Sequence, residues 1–124
     1  MNRNFLIAGA LLAATAVICG AFGAHFLKTR LTIESLQTFE TAVRYQFYHA
    51  FALLIAGMLY KDFASGLLKW AGYFFGTGIL LFSGSLYVLC GVQNMRWIGA
   101  ITPLGGLCFI TGWLLLAMAC ARKN

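Results

Sequence analysis

The sequence predicts an all-α fold, a four-helix transmembrane bundle with an amphipathic interfacial segment between the first two helices. Three observations predict it. The 124-residue chain is 61% hydrophobic and only 10% charged, with a mean hydropathy of +0.83, whereas water-soluble domains carry about 25% charged residues. The apolar residues come in long uncharged runs, the mark of membrane spans rather than of a large soluble core. The nine basic residues outweigh three acidic ones for a net charge of +6, and they are scattered near the ends of those runs, where they anchor helices at lipid phosphates. A single integral membrane domain, residues 1–124, fits this length. Nucleic-acid binding would need a clustered basic patch, and the sequence has none.

The first span covers residues 4–25, an uncharged run of the roughly 20 residues that a bilayer core requires. A secretory signal is the competing reading of Arg3, the apolar run and the small residues Ala21 and Gly23. Ile18 stands before Cys19 where a lipoprotein signal needs a small residue, and cleavage would discard half of the motif described below. A retained helix is therefore expected. After the basic connection Lys28-Thr29-Arg30, Thr32 is placed to cap a helix with Glu34 in its first turn, where the helix dipole favours an acid. Residues 33–44 form the amphipathic segment. Leu36, Phe39, Val43 and Phe47 share one face, and Gln37, Glu40, Thr41, Arg44 and Tyr48 share the other.

The second span, residues 43–60, draws on that segment, because the uncharged run from Tyr45 to Tyr60 covers only ~24 Å of a ~30 Å core. Two arrangements satisfy it: a surface helix that turns into the membrane, or one long tilted helix. Lys61 and Asp62 mark the next boundary. The third span, residues 67–89, opens with the interfacial aromatics Trp70 and Tyr73, and Gly72-x-x-x-Gly76 allows close approach of another helix. Residues 91–96 are polar and should turn the chain into a fourth span, residues 97–121. Pro103 inside that span predicts a kink, and Gly105 and Gly106 beside it would admit a bulky neighbour such as Phe22 or Phe75. Gly20 and Ala24 offer weaker close approach in the first span. With four spans, Arg3, Lys61, Lys69, Arg122 and Lys123 share one side and Lys28, Arg30, Arg44 and Arg96 the other, so both termini are expected in the cytoplasm of a cell whose membrane holds the protein.

Three separated motifs carry a family resemblance: Gly20-Ala-Phe-Gly23-Ala-His25; Phe39-Glu-Thr-Ala-Val-Arg-Tyr-Gln46 with His49; and Thr102-Pro-Leu-Gly-Gly106 with Gly112-Trp113. In this order, over nearly the whole chain, they resemble the small four-span membrane proteins grouped with YgdD of bacteria and transmembrane protein 256 of eukaryotes. The resemblance implies four helices and, in bacteria, a multi-pass protein of the cytoplasmic membrane. It implies no activity and carries over no catalytic or binding residue.

Chemistry-bearing residues concentrate in residues 20–49, which hold both histidines and two of the three acids. The candidate polar cluster is His25, Glu40, Arg44, Tyr45, Gln46 and His49. His25 ends the first span and His49 lies near the start of the second, so both are expected near one membrane face, where two histidines on adjacent helices could hold haem or a metal. The structural alternative is favoured: each ring hydrogen-bonds a neighbouring carbonyl or Tyr45, Gln46 or Tyr48. Glu40 and Arg44, four residues apart, can pair along a helix and with a histidine could bind a lipid head group. The four cysteines show no metal-type spacing, and a Cys19–Cys90 disulfide is conceivable without support. The spans contain no Asp or Glu for coupled transport, and no nucleophile elbow or ordered triad is present. The expectation is a non-enzymatic integral membrane protein that binds lipid or partner helices (another copy or another membrane protein), with no metal and no cofactor. A small oligomeric transporter or channel and a haem- or quinone-linked redox subunit are the alternatives.

Overall fold

The computed structural model describes residues 1–92 and 96–122. The expected polar turn at residues 91–96 lies in part outside the described residues, as do Lys123 and the side chain of Arg96 in the charge count. Among the described residues four helices follow one another: α1, Arg3–Leu27; α2, Ile33–Leu59; α3, Ser65–Gly91; and α4, Trp97–Ala121. No strand occurs among the described residues. Two caps fix the starts. Asn2 Oδ1 accepts the Phe5 N–H at 3.2 Å, and Thr32 Oγ1 accepts the Ser35 N–H at 3.1 Å, with Glu34 in the first turn of α2 as expected. Each such cap satisfies a donor that the helix itself cannot.

The amphipathic segment and the second span are one unbroken helix. No proline and no glycine before Gly57 interrupts α2, and its 27 residues make a rod of ~40 Å. Successive helices run antiparallel. Gly9 meets Ala50 and Leu54 while Gly23 meets Phe39; Ser83 Oγ donates to the Ala42 carbonyl at 2.7 Å while Cys90 Sγ donates to the Ser35 carbonyl at 3.2 Å; Gly78 meets Phe109 while Gly112 meets Phe75. The ends of α1 and α4 that carry the chain termini therefore lie at one end of the bundle, where the Asn2 N–H also donates to the Gly57 carbonyl at 2.9 Å.

The core is built from rings seated on glycines. Gly72 receives Phe5, Gly78 receives Phe109, Gly112 receives Phe75 and Gly23 receives Phe39, while Ala42, Ala50, Ala52 and Ala56 let neighbours close on α2. Small residues serve this purpose in lipid, where van der Waals fit, not expulsion from water, drives helix association. The Gly72-x-x-x-Gly76 pattern is thus half used: Gly72 seats a ring, and Gly76 has nothing within 4 Å of a built Cβ. Gly20 packs against the Val43 side chain.

The proline expectation needs correcting. Pro103 lies in the first turn of the α-helical stretch Ile101–Ala121, directly after a 3₁₀ turn at Arg96–Ala100. A missing N–H costs no α-helical hydrogen bond there, so α4 changes helix type ahead of the proline instead of kinking at it. The neighbour of Gly105 is the Phe82 backbone, not Phe22 or Phe75. The irregular turns fall elsewhere: α1 and α3 each contain one π-helical stretch, Cys19–Gly23 and Ile79–Ser83, and both lie against residues 39–43 of α2.

Leu11, Ile18, Leu80, Leu107, Ile110 and Leu114 stand exposed on the outside of the bundle. Among the described residues α1, α3 and α4 are long and apolar enough to cross a membrane. α2 has the length but is less apolar, because Glu40, Arg44, Gln46 and His49 interrupt it. It buries Gln46 and His49 against its neighbours and leaves Phe51, Ile55 and Met58 outside, the arrangement that lets a helix carry polar groups at membrane depth.

Candidate functional site

One turn of α2 at the middle of the bundle holds two polar sites that face different ways. Gln46 faces α1 and α3. Its Nε2 donates to the Leu12 carbonyl at 2.9 Å and to Thr15 Oγ1 at 2.8 Å, and its Oε1 accepts from the Tyr87 hydroxyl at 2.6 Å. Three helices are pinned by one amide with both ends used. A buried polar group is costly when unpaired, and this one is fully paired.

His49 and Tyr45 face α4. The His49 ring lies parallel to Phe109, with centroids 3.4 Å apart and planes 7° apart, and edge-on to Trp113 at 5.9 Å. Its Nδ1 is 2.8 Å from the Tyr45 carbonyl, and its Nε2 is 3.1 Å from the Trp113 Nε1. A carbonyl only accepts and an indole N–H only donates, so Nδ1 carries the proton and Nε2 is the acceptor. The imidazole is held neutral with both nitrogens occupied, and no lone pair is left for a metal.

Beside this ring stack a groove of about 540 Å³ opens on the flank of the bundle. It is lined by Tyr45, Tyr48, His49, Phe82, Gly106, Phe109, Ile110 and Trp113. Tyr45 and Tyr48 meet edge to face at 5.8 Å, and Tyr45 packs on Phe82 at 4.6 Å. Both tyrosines are exposed, and among the described residues neither hydroxyl has a hydrogen-bond partner. Ligand sites are commonly apolar and aromatic concavities with a few convergent polar groups, and this groove has that composition. A second groove, of about 590 Å³ between α1 and α3, is lined by residues such as Phe5, Leu53, Gly72 and Leu80, with Asn4, Tyr73 and Thr77 among its few polar positions.

The candidate cluster read from the sequence therefore divides. Tyr45 and His49 come together, Gln46 belongs to the Thr15–Tyr87 network, and Glu40 and Arg44 are exposed beside a small cleft of about 180 Å³ with Gly20, Phe39 and Val43. Among the described residues no ion pair joins Glu40 to Arg44 or to a histidine. The expectation that His25 and His49 share one membrane face is overturned. Gly23 lies level with Phe39 and Gly9 with Ala50, which puts His25 and His49 on the order of 20 Å apart along the bundle. His25 is exposed, edge-on to Phe26 at 6.0 Å. The two cannot ligate one haem or metal. All four cysteines are free, so Cys19 and Cys90 form no disulfide.

Thr15, Phe82, Tyr87 and Phe109 entered no sequence-based site. Each sits in an apolar run with no local signal, and only the antiparallel register brings it opposite Gln46 or His49. Trp113 had a signal, as part of the Gly112-Trp113 motif.

Residues 19–106 match the family described as "Protein of unknown function (DUF423)". The chain is 45% identical over 117 residues to the UPF0382 membrane protein SH2409 of Staphylococcus haemolyticus, covering 94% of each chain. It is 47% identical over 116 residues to the UPF0382 membrane protein SSP2132 of Staphylococcus saprophyticus, covering 94% of this chain and 95% of the relative. It is 43% identical over 122 residues to the UPF0382 membrane protein YwdK of Bacillus subtilis, covering 97% and 98%. No solved structure matches the chain.

Proposed function

The chain belongs to the DUF423 family and its bacterial relatives are named membrane proteins, and from that premise we propose that it is a non-enzymatic protein of the cell membrane that binds a lipid-phase molecule in the groove between α2 and α4. The resemblance to the YgdD-type and transmembrane protein 256-like proteins is consistent with this family. The observation that carries the reading is the pair of unpartnered hydroxyls, Tyr45 and Tyr48, in an aromatic groove that opens on the flank of the bundle. A tyrosine on a lipid-facing surface normally keeps its hydroxyl at the head-group level. These two lie near the middle of α2, away from both ends of the bundle, where a bound molecule would offer a partner.

Gly106 supplies the test. A Cβ built there has only Phe82 Cδ2 for company, at 4.0 Å, so Gly106→Leu fills the groove while its Cβ meets no clash, and leucine is a better helix former than glycine. Native mass spectrometry of protein gently extracted from its own membrane should show a retained lipid-sized mass that Gly106→Leu abolishes. A bare wild-type protein, or a mass indifferent to the substitution, overturns the proposal.

The same proposal places both termini in the cytoplasm. Arg3, Lys61, Lys69 and Arg122 lie toward the end of the bundle that carries them, against Lys28, Arg30 and Arg44 toward the other. Labelling of a cysteine added at the C-terminus with a membrane-impermeant maleimide checks it: labelling only after the cells are opened is expected.

A further inference from the structure

The lining of the α2–α4 groove also selects among lipids. We infer that its ligand is an uncharged lipid whose polar end carries carbonyl oxygens, the chemistry shared by an isoprenoid quinone and a diacylglycerol, and that phospholipid head groups are refused. The inference rests on the reading of the groove as a binding site and specifies what the site takes.

Three features carry it. None of the eight lining residues is charged. The nearest charged side chain in sequence, Arg44, turns instead to the cleft with Gly20 and Glu40. A phosphate would find no countercharge, and an unpaired charge at membrane depth is strongly disfavoured. The free polar groups are phenol hydroxyls. The histidine and indole nitrogens satisfy one another, so Tyr45 and Tyr48 alone can donate to a ligand, and an O–H donor matches a carbonyl acceptor.

Depth is the third feature. Phe109 is the midpoint of α4, and Tyr45 and Tyr48 flank the midpoint of α2, so the groove lies at mid-height of the bundle, away from both of its ends. Molecules that bring a hydrogen-bonding end to that depth are neutral ones. The walls of Phe82, Phe109 and Trp113 accept a flat ring or a glycerol ester, and a volume of about 540 Å³ falls in the range of a small-ligand site.

The experiment titrates purified full-length protein in neutral detergent with three probes, read by native mass spectrometry: a short-tailed ubiquinone, dioctanoylglycerol and dioctanoyl phosphatidylglycerol. One or both neutral probes should be retained at least tenfold more strongly than phosphatidylglycerol, and whichever neutral probe binds better identifies the source. The double variant Tyr45→Phe/Tyr48→Phe keeps both rings, so its helix content should be unchanged in circular dichroism. It should lose about tenfold in neutral-probe retention, the effect of two ordinary hydrogen bonds. Neutral-probe retention unchanged in that variant overturns the assignment. Phosphatidylglycerol bound as tightly as the neutral probes, and lost in Gly106→Leu, overturns the lipid class while leaving the groove a binding site. Retention of every probe unaffected by Gly106→Leu overturns the binding reading itself.

Discussion

The two sides of α2 make opposite use of polar residues. Toward α1 and α3, Gln46 and Ser83 end every hydrogen bond on protein, and the alanines around them are fully buried. Toward α4, His49 and Trp113 also satisfy each other, but Tyr45 and Tyr48 beside them keep free hydroxyls over an open groove. Residues 45 and 46 are adjacent, so the difference is one of register and not of composition. One side is closed and holds the bundle together; the other is left open at the same depth. Burial of polar groups alone therefore does not mark the functional side; an unspent donor does.

The largest effect that would test this contrast comes from two adjacent glycines. A Cβ on Gly105 would lie 2.8 Å from both Cα and Cβ of Phe82, and backbone there cannot step aside. Gly105→Ala should destabilise the bundle by about 3 kcal/mol, the upper range for overpacking a close contact. Gly106→Ala, one position on and facing the groove, should leave stability unchanged or slightly raised. Unfolding in mixed detergent micelles measures both. Equal losses at the two positions would mean that the groove is not open. Gln46→Leu comes next. It removes three hydrogen bonds and strands the Tyr87 hydroxyl; at the modest strength of such bonds within membranes the loss is about 2 kcal/mol. A neutral outcome would remove the distinction between the closed side and the open one. Trp113→Phe keeps a ring against Phe75 but takes the donor from His49 Nε2, and should cost about 1 kcal/mol.

Most of the fold was legible because lipid leaves a chain few options. Uncharged runs of span length, charges at their ends and a cap at Thr32 fixed the helices, and the absence of a breaker through α2 was there to be read as one long helix. The site was legible in part. The segment around residues 45–49 holds the groove's Tyr45, Tyr48 and His49, but a six-residue cluster drawn from nearness in sequence does not stay together. A helix sends residues 44, 45 and 46 in three different directions, about 100° apart around the axis. The pairing of His25 with His49 failed for a related reason: His49 looked like the start of a span, but α2 begins four turns earlier at Ile33, which carries His49 to the middle of the bundle. Pro103 misled because a proline counted from the start of an apolar run looks interior, whereas counted from the end of the 3₁₀ turn it is in the first α-helical turn. Tyr87 and Phe82 bear on the site only through the register of α3, which no local pattern encodes.

The smallest expected effect belongs to the residues that draw the eye first. Glu40 and Arg44 are among the few charges near the spans and stand four apart in the order that suits a helical ion pair, yet both are exposed and unpaired with one another. Glu40→Gln and Arg44→Gln should therefore leave unfolding and neutral-lipid retention unchanged within error. The sharper use of these variants is against the groove: Tyr45→Phe and Arg44→Gln alter neighbouring residues that face different clefts, so only the first should change what the protein retains. A ligand lost in Arg44→Gln or Glu40→Gln but kept in Tyr45→Phe would move the site to the small cleft of Gly20, Phe39 and Val43. The ligand would then be charged and held by Arg44 and Glu40, and α2's open side would be packing surface for another helix.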